Sequence, residues 1–267
     1  MNYYDNETNI IESFQNSLEY GDVLCISNNE KELISILESF EPGNWESWTN
    51  SSAKNAPPPD FYNDRLELMM DVMRVDDHAR EINGKIYNPT NVKESKIQKE
   101  LRHLISQNQF PKCNKIIVNA ISELPTNEDH NYTFYSKNFN RVIKNHLSKI
   151  LNYKANHPNY KVIFFVFDES SEYVQVKSKS LAATGIKEGQ AFSIVRRHVH
   201  YIDKNLINVF LSSDIDYLIW FAPFKFLYNK DGTLKKDMPC TVVYDIKNMN
   251  NLDCVKYDSE YMMSVEP

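Results

Sequence analysis

Asp60 and Asp71 are the residues of this 267-residue chain best placed to do chemistry. The first follows a proline in Pro59-Asp60-Phe61, and the second lies inside the greasy run Leu66-Glu67-Leu68-Met69-Met70-Asp71-Val72-Met73-Arg74-Val75. Carboxylates in apolar surroundings need a cation or a hydrogen-bond donor, so this stretch is the best candidate for a metal-assisted active site. Just beyond it, Asp76-Asp77-His78 is either a polar turn or a further set of metal ligands. The ordinary structural alternative makes Asp60 a turn residue after proline. It also puts Glu67, Asp71, Arg74 and His78 on one helix stripe at i, i+4, i+7 and i+11.

The choice rests on residues 65–75, which read in two ways. As a strand, the segment places Glu67, Met69, Asp71 and Met73 on one face and Leu66, Leu68, Met70 and Val72 on the other. As a helix, Asp64-Arg65-Leu66-Glu67 imitates a capping box, and Leu66, Met69, Met70 and Met73 follow helical spacing. Both readings remain open at this level.

The flanking elements are clearer. Gly21 to Ile26 reads as a strand, and Asn28 or Asn29 caps a helix carrying Leu33, Ile36, Leu37 and Phe40, stopped by Pro42-Gly43. Residues 43–59 are loop-like, Asn83-Gly84 marks a hairpin turn, and Lys93 to Asn108 is helical. A strand over Lys115 to Ile121 and an amphipathic helix over Lys137 to Tyr153 follow. Lys161-Val162-Ile163-Phe164-Phe165-Val166-Phe167 is almost continuously apolar, as expected of a central strand covered on both faces. Asp216 to Phe221 and Thr241 to Ile246 are two more strands, with a tight turn at Asn229-Lys230-Asp231-Gly232 between them. Strands alternating with helices imply an α/β protein with a mixed central sheet flanked by helices.

Other constellations are weaker. Phe192, Val195, Val199, Ile202, Leu206, Val209 and Phe210 recur at three and four residues, predicting one amphipathic helix. That helix separates His198 from His200, so the pair cannot chelate, and it gathers Arg196, Arg197, His200 and Lys204 into a basic stripe for phosphates or solvent. Asp168-Glu169-Ser170-Ser171-Glu172 follows the strongest strand, where open α/β sheets collect ligands. Gly-x-Gly-x-x-Gly, Gly-x-Ser-x-Gly and His-Glu-x-x-His motifs do not occur, which disfavours dinucleotide, serine-hydrolase and zincin chemistry. Four scattered cysteines without a Cys-x-x-Cys pair read as free thiols of a reducing cytoplasm. The first residues lack the pattern of a secretory signal, and no apolar run is long enough to span a bilayer. A net charge of −6 argues against coating nucleic acid by bulk electrostatics but leaves room for a local basic face around an acidic site.

With residues 65–75 as a strand, the chain runs helix, Pro59-Asp60 turn, then a strand bearing Asp71-x-Met73, and this order resembles the PD-(D/E)XK nuclease superfamily. The resemblance covers less than half of the residues, with a candidate core at 21–121 and a C-terminal elaboration at 122–267 of one domain. It implies that Asp60 and Asp71 hold Mg²⁺, with Glu32 or Glu38 as a third acid, and that the metal assists phosphodiester cleavage in DNA or RNA. The lysine expected two residues after the second acid is Met73 here, and Arg74 beside it is the nearest cation in sequence. Tyr244-Asp245-Ile246-Lys247 is a second literal match, with Asp216 as its upstream partner. The resulting expectation is a nuclease using Asp60, Asp71 and Arg74, with Arg196, Arg197, His200 and Lys204 gripping the nucleic-acid backbone. Two alternatives stand beside it: a non-catalytic α/β protein that binds a partner, as a degenerate nuclease would, and an enzyme on another α/β scaffold using Asp168, Glu169 and the Asp76-Asp77-His78 group.

Overall fold

A computed structural model describes residues 6–52, 59–107, 130–184, 193–225, 227–228, 234–235 and 238–265. The expected strand at Lys115–Ile121 and the turn at Asn229–Gly232 lie outside these residues. The strands are β1 (Val23–Ile26), β2 (Thr49–Asn50), β3 (Phe61–Asn63), β4 (Leu68–Val75), β5 (Arg80–Ile82), β6 (Lys85–Tyr87), β7 (Lys161–Asp168), β8 (Tyr173–Val176), β9 (Ile194–Arg197), β10 (Tyr217–Phe221), β11 (Leu227–Tyr228), β12 (Leu234–Lys235), β13 (Thr241–Asp245) and β14 (Met262–Ser264). The helices are α1 (Glu7–Leu18), α2 (Glu30–Glu38), α3 (Pro42–Trp45), α4 (Pro89–Ser106), α5 (Tyr132–Leu147), α6 (Ile150–Asn156), α7 (Lys179–Thr184) and α8 (Lys204–Leu211).

Seven strands form one mixed sheet in the order β1-β13-β10-β7-β4-β3-β2. The fold is therefore α/β, as composition and periodicity imply. β7 lies at its centre, parallel to both β10 and β4, while β3 and β4 run antiparallel. Alternation along β7 sends Val162, Phe164 and Val166 to one side and Ile163, Phe165 and Phe167 to the other, all of them buried. Helices α5, α6 and α8 cover the first side, through residues such as Phe139, Ile143, Ile150 and Phe210. Helices α1 and α2 cover the second, through Ile11, Phe14, Leu33 and Ile36. A second, three-stranded sheet, β14-β8-β9, lies beside the main one.

The ambiguous segment 65–75 is a strand from Leu68 onward, entered through a turn in which Glu67 has a positive φ of 51°. β4 is locked between β3, with Phe61 opposite Met70, and β7, with Asp71 opposite Phe164. Met69, Met73 and Val75 pack under α5, whereas Leu68, Met70 and Val72 pack under α1 and α2. Asp71 thus belongs to the α5 side. Asn83 and Gly84 both have positive φ, 51° and 74°, the backbone that a two-residue β5–β6 hairpin requires.

Two helical expectations need correction. The single helix read over 137–153 is two, α5 and α6, separated at Ser148 and Lys149. The helix read over 192–210 is not formed: residues 194–197 are β9, a short 3₁₀ turn spans His200–Ile202, and α8 begins only at Lys204 after the Asp203 cap. The three- and four-residue spacing there coincides with two unrelated packing surfaces. Ile194 and Val195 are exposed, and pairing with β8 overrides their helical spacing.

α5 is joined to the sheet by polar contacts as well as packing. Tyr135 donates to the buried Asp168 at 2.6 Å, and Trp220 Nε1 and the Ser170 backbone N–H donate to the same carboxylate at 3.0 Å each. Hydrogen bonds to a buried charge contribute about 1.5–3 kcal/mol. Tyr135→Phe is therefore expected to lower stability by about 1.5–3 kcal/mol in urea denaturation while leaving far-UV circular dichroism unchanged. A loss below about 0.5 kcal/mol would show that this anchor contributes little.

Candidate functional site

Asp60 and Asp71 come together. Extending the β3–β4 register by one step beyond Phe61 and Met70 sets Asp60 directly opposite Asp71. Side chains opposed in this way lie on one face with Cβ atoms about 4.5–5.5 Å apart, and like charges there repel. Asp60 Oδ2 accepts the Val72 backbone N–H at 2.8 Å, so the aspartate side chain replaces the next rung of the strand ladder. Asp71 is buried, and its Oδ2 accepts from Tyr153 Oη at 3.1 Å and pairs with His146 Nδ1 at 2.5 Å. The two acids share a pocket of about 210 Å³ with Glu7, His146, Lys149, Asn152 and Tyr153.

Burial and then the Asp71 charge push the Asp60 carboxyl up to about 7, Glu7 adds to the effect, and the Val72 N–H only partly opposes it. The pair thus holds a proton near neutrality that a cation could displace. Burial first and then the Asp71 charge also raise the Tyr153 hydroxyl far above its ordinary value, so it stays a donor. An acidic floor, a histidine oriented by one of the acids and a lysine at the rim can bind a divalent ion, orient an anion and move a proton.

The remaining expected site residues lie elsewhere. Glu32 does not join this pocket: its carboxylate is bonded to Lys161 and Tyr217 Oη. Those hydrogen bonds hold its carboxyl below the ordinary range. Arg74 alternates to the face opposite Asp71 and pairs with Glu169. Burial raises Glu169 to about 7 despite that arginine. Met73 is buried in the core under α5.

The basic stripe dissolves with its helix. Arg196 Nε donates to Gln175 Oε1 at 2.8 Å and the guanidinium stacks 4.5 Å from the Tyr257 ring, while Arg197 Nε donates to the buried Glu172 at 2.7 Å. His200 is fully buried beside Trp220, and desolvation followed by the Lys225 charge holds it well below its ordinary range. Lys204 is exposed at the start of α8. These four residues do not form one surface. The rival Asp216/Asp245 pair is also spent internally, Asp216 on the Val162 N–H and Asp245 on Ser27 and Asn248.

Sequence reasoning missed Glu7, His146 and Lys149 in the pocket. Only His146 left a trace: it lies seven residues beyond Phe139 and three beyond Ile143, on the stripe of α5 that faces the core. Two further features adjoin. A pocket of about 300 Å³ between the β5–β6 hairpin and α5 is lined by Asn83, Phe134, Lys137, Asn138 and Arg141. Among the described residues, Asp77, His78 and His130 form a group that could hold a metal ion. No helix among the described residues is long and apolar enough to cross a membrane.

The Asp60 titration carries a stability signature. Its folded value near 7 exceeds the unfolded value of about 3.9. The folded state therefore retains a proton that the unfolded state releases, and the resulting stabilisation is lost as pH rises from about 4 to about 7. Asp60→Asn removes that slope and can keep the Val72 bond, so we expect it to exceed the wild type by about 1–3 kcal/mol at about pH 8 and to lose the advantage below about pH 4. Denaturant unfolding across this range checks it, and parallel pH profiles for the two proteins would contradict it. Compared with protein-family models, curated proteins and solved structures, the chain matches none.

Proposed function

We propose that the protein is a metal-dependent phosphodiesterase that acts on nucleic acid at the Asp60–Asp71 pocket. The observation that carries this reading is the opposition of two carboxylates across β3 and β4 in a pocket that also holds Glu7, His146 and Lys149. The order of elements around it, with Pro59-Asp60 entering one strand and Asp71 within the next, supports the PD-(D/E)XK resemblance. An all-carboxylate pair in which burial, and then the partner's charge, raises one member suits a hard divalent cation such as Mg²⁺. Asp60 and Asp71 would hold that ion, with Glu7 in reach of the same charge, and the ion would supply Lewis acidity and a more acidic water.

The chain's own groups account for the remaining work. Lys149, at the break between α5 and α6, brings an ammonium to the pocket where the position of Met73 cannot. It would neutralise charge on a phosphate bound there. His146 is oriented through Nδ1 by Asp71, which leaves Nε2 for proton transfer to water or a leaving oxygen. Lys137 and Arg141 line the neighbouring pocket on the same helix, about 6 Å apart along its axis. They take over the backbone-gripping role that the sequence suggested for Arg196, Arg197, His200 and Lys204.

Met73 in place of lysine favours a second reading, a non-catalytic descendant that retains the pocket for binding. Incubation with single- and double-stranded DNA and RNA in MgCl₂ or MnCl₂ separates the two. We expect cleavage that requires metal, falls by about 10²–10⁴ in Asp71→Asn, and weakens in Lys149→Ala. Nucleic acids left intact under all metal conditions would contradict catalysis. In binding titrations, the Lys137→Ala/Arg141→Ala double variant is expected to lower the slope of log affinity against log salt by about 2. An unchanged slope would remove these cations from the interface.

A further inference from the structure

Beyond the C-terminal end of β4 a separate group of ligating side chains closes on itself. Asp77 is fully buried. Its Oδ2 accepts three hydrogen bonds, from the Ser171 backbone N–H at 2.9 Å, Ser171 Oγ at 2.7 Å and Tyr173 Oη at 2.7 Å. Its Oδ1 faces two imidazoles, His130 Nδ1 at 3.0 Å and His78 Nε2 at 3.9 Å. The ring centroids of His78 and His130 are 4.7 Å apart. One ligand atom from each residue lies within 4.8 Å of the other two.

The spacing fits a small ion. Bonds of about 2.0–2.1 Å to a tetrahedral Zn²⁺ set ligand atoms about 3.3 Å apart, and the observed 3.0 and 3.9 Å separations bracket that value. The carboxylate is already fixed by three donors on its far oxygen, the outer support that metal-binding side chains usually have. The turn is fixed as well, because Asp76 Oδ1 accepts the His78 and Ala79 backbone N–H groups and Asp76 Oδ2 accepts from Asn88. The histidine side chains retain 19% and 14% exposure, enough for an ion and a completing water to enter.

We propose that Asp77, His78 and His130 bind one borderline transition-metal ion of the Zn²⁺ class. Two imidazoles with one carboxylate suit Zn²⁺ or Co²⁺ and disfavour Mg²⁺ and Ca²⁺, which take oxygen ligands. β4 carries the chain about 13 Å from Asp71 to Val75 before the turn that holds Asp77, so the site is distinct from the Asp60–Asp71 pocket. It ties the end of β4 to His130, two residues before α5 begins. Its role is to fasten the helix that carries His146 against the sheet.

The test uses the full-length protein stripped with chelator and titrated with ZnCl₂ by calorimetry and with CoCl₂ by visible absorption. Asp71→Asn, in which the other pocket is disabled, is expected to take up one Zn²⁺, to rise in Tm with it, and to show the intense visible bands of low-symmetry Co²⁺. The wild type is expected to retain this same site. His130→Ala and His78→Gln are each expected to weaken Zn²⁺ binding by about tenfold or more. Having two variants keeps the test sound should one fail to fold. Absence of Zn²⁺ binding, or binding that neither histidine variant alters, would overturn the proposal, whatever the outcome for nucleic-acid cleavage.

Discussion

Four buried carboxylates on one side of the sheet are answered by a single stretch of chain, residues 130–146. His130 pairs with Asp77, Tyr132 with Asp203, Tyr135 with Asp168 and His146 with Asp71. A buried carboxylate without donors costs several kcal/mol, so these contacts fix where α5 must lie. Phe139 and Ile143 fill the intervals on the same helix face. α5 is thereby both a packing element and the wall of the pocket. The register that satisfies Asp168 and Asp203 at one end presents His146 to Asp71 at the other.

Asp60 departs from this pattern. It takes one backbone N–H from Val72 and otherwise meets another acid, with Glu7 nearby. A fold selected for stability alone would place an amide or an alcohol there. Retaining a second carboxylate means that the folded protein keeps Asp60 protonated up to about neutrality. A divalent ion would replace that proton and relieve the repulsion. Unfavourable pairing concentrated at an open pocket is the usual trade of stability for function.

Much of the scaffold was legible because its signals are local. The apolar run 161–167 could only be a covered strand, and Asn83-Gly84 could only turn tightly. Alternation in 68–73 sorted the two faces of β4 correctly once it was a strand, although Leu66 and Glu67 belong to the preceding turn. What decided strand over helix was not local: β3 and β7 pair with it from 61–63 and 161–168. The same limitation produced the false helix over 192–210, where pairing of Arg197 with Val174 outweighs a helical spacing of valines and isoleucines. At the site, Asp60 and Asp71 were legible as acids flanking one turn of chain. Glu7, His146 and Lys149 were not, because they reach the pocket from 53 to 89 positions away, counting 60 − 7 and 149 − 60, through the docking of α1 and the α5–α6 break. Glu32 was the acid the resemblance implied, but its carboxylate is taken up by Lys161 and Tyr217.

The proposed chemistry stands or falls on a divalent cation held by Asp60 and Asp71. Anomalous diffraction from crystals soaked in MnCl₂ at about pH 8, above the Asp60 titration, tests it most directly. A manganese peak in contact with oxygens of both carboxylates is expected. Well-ordered density for Asp60 and Asp71 with no manganese near either carboxylate would contradict it.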